Sequence, residues 1–214
     1  ENDLNDQATE PRDYDFKREW GIPVRYHDLQ HMKAMSNMTL LEIHLSYTDM
    51  ELDFKKFIPE PIDKRLVVHA PELFKGDHTL DLCSKDKIYR SKSIDFMQET
   101  IDLSRELKKH FNESNVLIVT NVGGFSHEAH LDKENHQELY DILIQSLQAL
   151  DTDGVEIIPQ TMPPFPWHFG GQQFHNLFVD SASIKKFCQE NDMRICLDAS
   201  HSQLACNFNK ESYK

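Results

Sequence analysis

Six short runs rich in Val, Ile and Leu recur along the chain, separated by polar turns or stretches of helical spacing. They cover Gly21 to Asp28, Leu40 to Ser46, Arg65 to Pro71, Val116 to Gly124, Gly154 to Thr161 and Arg194 to Ser200. Several are nearly continuous in apolar residues, as strands buried on both faces must be. Between Tyr89 and Phe111 the apolar positions Ile94, Met97, Ile101, Leu103, Leu107 and Phe111 recur at helical spacing. Asn135 to Leu150 and Ser183 to Asn191 read as further helices, the last with a cap at Asp180 or Ser181. Repeated strand–helix alternation implies a parallel sheet covered by helices.

An open doubly wound sheet and a closed barrel both satisfy that pattern. The open sheet often carries a glycine-rich turn after its first strand, but here Asp28-Leu29-Gln30-His31 follows, and Gly123-Gly124 is too short for a dinucleotide fingerprint. Polar residues stand at the C-terminal ends of nearly every run: His27 and Asp28, His44, His69 and Glu72, Asn121, Gln160, then Asp198 and His201. Functional groups drawn from many strand ends are what a (β/α)₈ barrel gathers at its catalytic face. The expected fold is therefore α/β, a parallel (β/α)₈ barrel. Such a barrel needs about eight strands and typically ~250 residues, so six runs in 214 residues lead us to expect an incomplete one of about six βα units. The domain is expected over residues 16–214, behind an acidic linker or tail at 1–15.

Charge narrows the partners. Lys and Arg number 23 against 36 Asp and Glu, a net charge of −13, which opposes binding to a nucleic-acid backbone. No run approaches the ~18 apolar residues of a membrane span. The cysteines Cys83, Cys188, Cys196 and Cys206 show no CxxC or disulfide-scaffold spacing, so a reducing cytoplasm is expected.

Asp198 and His201 offer an oxygen and a nitrogen ligand for a divalent ion such as Zn²⁺ or Mn²⁺ at the end of a buried run; equally, Asp198 caps the next helix and His201 is an ordinary first-turn residue. His69 and His44 each either line a pocket or bond a nearby carbonyl. Pro159 to Phe178 holds four prolines in eight residues, Trp167, four phenylalanines and a Gly-Gly pair, and is not expected to form a regular strand or helix. So long a connection suits a binding loop, with Trp167, His168, Gln172, His175 and Asn176 as sugar-contacting residues; the alternative is a rigid packing loop. Asp81, Glu42 and Glu156 are weaker leads, Glu156 because it lies early in its run.

The segments RYHD, EIHLSYTDME, VVHAPELFKGDHTLDL, NVGGFS, VEIIPQTMPPFPWHFGGQQFHNLF and ICLDASHSQLACN together resemble the xylose isomerase-like barrel domain fused behind the catalytic domain of some bacterial sialic acid synthase-like proteins. The resemblance spans about Tyr14 to Asn207. More distantly, the chain is similar to the sugar isomerase/epimerase and endonuclease IV superfamily. The resemblance implies a divalent metal (Mn, Zn or Mg) on His69, Asp198 and His201, and a sugar or amino-sugar phosphate as ligand. Where the superfamily places a glutamate, this chain reads Ile158-Pro159-Gln160, leaving Gln160 or the deeper Glu156, with His44, for the catalytic positions. It further implies a preceding synthase domain. Unpaired strand edges make a homo-oligomer an additional expectation. The rival reading is a non-catalytic carbohydrate-binding or regulatory module.

Overall fold

The computed structural model describes residues 10–164 and 173–210. In chain order the strands are β1 (Gly21–Val24), β2 (Leu40–His44), β3 (Arg65–His69), β4 (Leu73–Phe74), β5 (His78–Thr79), β6 (Val116–Thr120), β7 (Phe125–Ser126), β8 (Val155–Pro159) and β9 (Phe174–His175). The helices are α1 (Leu29–Met32), α2 (Tyr47–Met50), α3 (Lys87–Lys108), α4 (His136–Gln148), α5 (Ser181–Asn191) and α6 (Ala199–Asn209). A parallel central sheet has the order β1-β2-β3-β6-β8, built from the first five apolar runs. Neighbouring strands in that order are also consecutive among the five, as the right-handed βαβ rule favours.

The chain divides into two compact units. The first comprises Glu1–Lys75, Glu99–Ile118 and Thr152–Ile157. Its register sets Leu41 beside Leu66 and Ile43 beside Val68, and all four are at most 1% exposed. Side chains alternate along a strand, so Glu42 and His44 share the opposite face with Val67 and His69. The C-terminal half of α3 buries Ile101 and Leu107 beside the small hydroxyl residues Thr100 and Ser104. Ser104 Oγ donates to the Thr100 carbonyl at 2.7 Å, which satisfies its hydroxyl inside the helix.

The second unit comprises Gly76–Gln98, Val119–Asp151 and Ile158–Lys214. Tyr140 of α4, Phe187 of α5 and Phe178 form a three-ring core with centroids 4.9–5.6 Å apart, within the range of favourable aromatic pairs. Ser146 of α4 donates to the Leu82 carbonyl at 2.6 Å.

The sixth apolar run departs from expectation. Arg194 to Ser200 makes one isolated parallel bridge, Gln160 to Cys196, through Cys196 N–H to the Pro159 carbonyl (2.8 Å) and Thr161 N–H to the Cys196 carbonyl (3.0 Å). Six residues separate Asp192, the C-cap of α5, from the start of α6 at Ala199, and Asp198 is already committed as the α6 N-cap. Among the described residues the run therefore pairs at a single position and forms no ladder. The segment after Pro159 is corrected in the other direction: its Phe174–His175 is a short strand, antiparallel to Phe125–Ser126. Trp167, His168 and Gln172 lie outside the described residues.

Candidate functional site

In the first unit, register alone brings His44 and His69 together, since they are partners at the C-terminal ends of β2 and β3. Their rings stack at 4.1 Å and 6°. His69 is 7% exposed, and its Nδ1 lies 2.9 Å from the Ala70 carbonyl. A carbonyl only accepts, so Nδ1 carries a proton, and in the neutral ring Nε2 is the nitrogen with the lone pair. His44 is lowered to about 3, by desolvation first and then by His69 and Arg25. Its side chain keeps 41% of its surface, so solvent tempers the desolvation; two stacked imidazoles and a guanidinium all disfavour a further charge.

Arg25 follows β1 directly. Its backbone N–H donates to the buried Asp28 carboxylate at 2.7 Å, and its guanidinium meets Asp49 Oδ2 at 3.3 Å. Asp49 is fixed in turn by the α2 capping box: Oδ2 accepts from the Ser46 N–H and hydroxyl, both at 2.7 Å. The Ser-x-x-Asp spacing at Ser46 and Asp49 is a legible helix-start signal, whereas nothing local marks Arg25 as its ion-pair partner. Glu156, also in the first unit, is the half-buried second residue of β8.

In the second unit, Asp198 caps α6: Oδ1 accepts the His201 N–H at 2.8 Å. The other carboxylate oxygen faces His201 Nδ1 at 3.6 Å, and the same Nδ1 reaches the Thr161 carbonyl at 2.9 Å. His201 Nδ1 therefore holds the proton when the ring is neutral, and Nε2 holds the lone pair. Asp198 faces the nitrogen that orients the ring, as outer-shell carboxylates do beside ligating histidines. Thr161, 3% exposed, knits this end through its hydroxyl to the Asp198 N–H (3.0 Å) and Ser202 (3.1 Å). Gln160, 5% exposed, donates its backbone N–H to Thr120 at 3.0 Å.

The second unit also holds a buried carboxylate that sequence reasoning ranked low. Asp81 Oδ1 accepts the Cys83 N–H (3.0 Å) and the Gly124 N–H (2.8 Å). Burial raises its carboxyl to about 6, against the lowering pull of those two N–H groups, Arg90 and His127. Gly123 and Gly124 both take positive φ, +89° and +81°, and a Cβ on Gly123 would collide with Asp81. Asn176, 1% exposed, clamps the same turn: its amide nitrogen donates to Gly124 O (2.8 Å) and Ser126 Oγ (3.0 Å), and its oxygen accepts from Leu131 N–H (2.8 Å). His175 is fully buried, its ring edge-on to Phe125 at 4.9 Å.

His69 belongs to the first unit, Asp198 and His201 to the second. Among the described residues, no group of three or more His, Cys, Asp or Glu side chains is arranged to hold a metal ion. His69 and His201 each have Nδ1–H tied to a carbonyl, one of the two tautomers in which a neutral imidazole can bind a metal. No helix among the described residues is long and apolar enough to cross a membrane. A family described as xylose isomerase-like TIM barrel matches residues 34–212. No curated protein matches the chain.

Proposed function

Because the chain belongs to the xylose isomerase-like TIM barrel family, we propose that it is a metal-assisted sugar or sugar-phosphate isomerase/epimerase-like domain of a protein of sialic-type (nonulosonic) acid biosynthesis. The observation that carries the reading is the shared state of His69 and His201, each with its Nδ1–H held by a carbonyl, which makes Nε2 the acceptor nitrogen of the neutral ring. A divalent metal, when bound, would polarise a sugar carbonyl and its adjacent hydroxyl. The chain's own residues orient the imidazoles, Asp198 through the α6 cap and Thr161 through its carbonyl. His44, neutral at pH 7, presents one donor and one acceptor beside His69. A preceding synthase domain and self-association belong to the same reading, as does a cytoplasmic location.

A second reading, a non-catalytic carbohydrate-binding or regulatory module, is favoured by one observation: Pro159 stands where the superfamily's carboxylate is expected. Calorimetric titration with Mn²⁺ and Zn²⁺ separates the two. The enzyme reading expects binding that weakens at least tenfold in His69→Ala and in His201→Ala. If the wild type binds neither ion, or both variants bind like it, the module reading stands instead.

A further inference from the structure

The Arg25–Asp49 pair in the first unit has a chemistry that the metal-assisted reading does not use. The Arg25 side chain is 35% exposed and that of Asp49 15%. Asp49 Oδ2 already accepts two donors from Ser46, and its contact with the guanidinium is a long 3.3 Å. Among the described residues, that is the one side-chain hydrogen bond Arg25 makes, out of the five N–H groups a guanidinium carries. The parallel register that partners Val24 with Ile43 sets the next residues, Arg25 and His44, side by side, and among the described residues the His44 ring makes no hydrogen bond. Its polar neighbour is Glu42 Oε1 at 3.7 Å. Unspent donors on Arg25 and ring nitrogens on His44 thus meet solvent at the C-terminal ends of β1 and β2, the end where barrels of this class bind ligands.

The charge at this spot decides what those groups can hold. Arg25 is paired with Asp49, and His44 has Glu42 Oε1 3.7 Å away, so each group that could meet a phosphate already has a carboxylate beside it. The many oxygens of an uncharged polyol need donors and acceptors without net charge, and both are present. We infer that Arg25 and His44 form a recognition site for the uncharged hydroxyls of a sugar, and that Asp49 is the specificity residue that discriminates against a phosphate there.

This inference rests on the proposed sugar chemistry and names which part of the sugar meets this end of the sheet. Ligand-observed NMR titrations with fructose and with fructose 6-phosphate test it, using the wild type, Asp49→Asn, Arg25→Gln and His44→Phe. Asn keeps an acceptor for the Ser46 cap, and Phe keeps a ring to stack on His69, so circular dichroism should find both variants folded. The wild type is expected to bind the two sugars within threefold of each other. Arg25→Gln and His44→Phe should weaken fructose at least fivefold, and Asp49→Asn should shift the preference toward the phosphate at least tenfold. An unchanged preference in Asp49→Asn, or unchanged fructose binding in His44→Phe, overturns the inference and leaves the sugar reading intact. Absence of binding by either sugar to the wild type overturns both.

Discussion

Replacing Asp81 by Asn should make the protein's stability less dependent on pH, and the sign follows from burial. In an unfolded chain this carboxyl titrates near 3.8, and in the fold near 6. Between those values the folded state holds a proton that the unfolded state has released. Unfolding therefore releases a proton, and stability falls as pH rises through that window. At 1.36 kcal/mol per pH unit the loss is about 3 kcal/mol by pH 7, and it is absent below about pH 4, where both states are protonated. The side chain is enclosed, so solvent screening removes little of this. Asn keeps the oxygen that accepts from Cys83 and Gly124 but carries no charge to desolvate. Urea denaturation of both proteins at pH 4 and pH 7.5 measures the difference directly. The Asn variant is expected within about 1 kcal/mol of wild type at pH 4 and to gain about 3 kcal/mol relative to it by pH 7.5. A gap that stays constant across that range would refute the assignment of Asp81 as a buried, costly carboxylate.

Other substitutions test separate parts of the fold. Gly123→Ala combines a positive φ with a collision against Asp81 and should cost about 2–4 kcal/mol by denaturant titration. Gly76→Ala has a similar φ of +75° and open space around it, so its cost should stay at about 1–2 kcal/mol. Asp198→Ala loses the α6 cap and should destabilise by about 1 kcal/mol; Asp198→Asn should keep that stability, so any effect of Asn on metal affinity reports the carboxylate charge. Leu107→Ala, at a fully buried position of α3, should cost about 2–5 kcal/mol and shift the thermal midpoint without altering sugar or metal titrations.

Five strands and the helices α3, α4 and α5 are legible because each is announced by its own local pattern. The sixth run has the same composition, yet Leu197 within it is 63% exposed. A strand exists only where a neighbour pairs with it, and apolar content does not reveal where pairing stops. The α3 face was read from its large residues, and Met97, Ile101 and Leu107 are buried as expected. Ser93, Thr100 and Ser104 on the same face were missed, because a small hydroxyl residue satisfied within its surroundings looks polar in sequence.

The candidate site divides in the same way. His44 and His69 were legible because each ends an apolar run, and parallel register then stacks them. Asp81 was not, because its decisive partner, Gly124, is 43 residues away. Arg25 and Asp49, 24 residues apart, escaped for the same reason. Asn176 reads from the sequence as a sugar-contacting amide within a polar, aromatic loop, and its hydrogen bonds to Gly124 and Ser126 cross 52 and 50 residues, which no local pattern announces. A polar residue's type shows what it can bond, and only the fold shows what it does bond.

The proposed chemistry moves hydrogen between neighbouring sugar carbons, and proton NMR of the products reads that directly. The protein would be incubated with Mn²⁺ or Zn²⁺ and a panel of aldoses, ketoses and their 6-phosphates in D₂O, with products followed by NMR and mass spectrometry. The account predicts metal-dependent appearance of an isomer or epimer of at least one sugar, lost in His69→Ala and His201→Ala variants that remain folded. Sugar binding with no conversion under any metal would contradict it and leave the chain a carbohydrate-binding module.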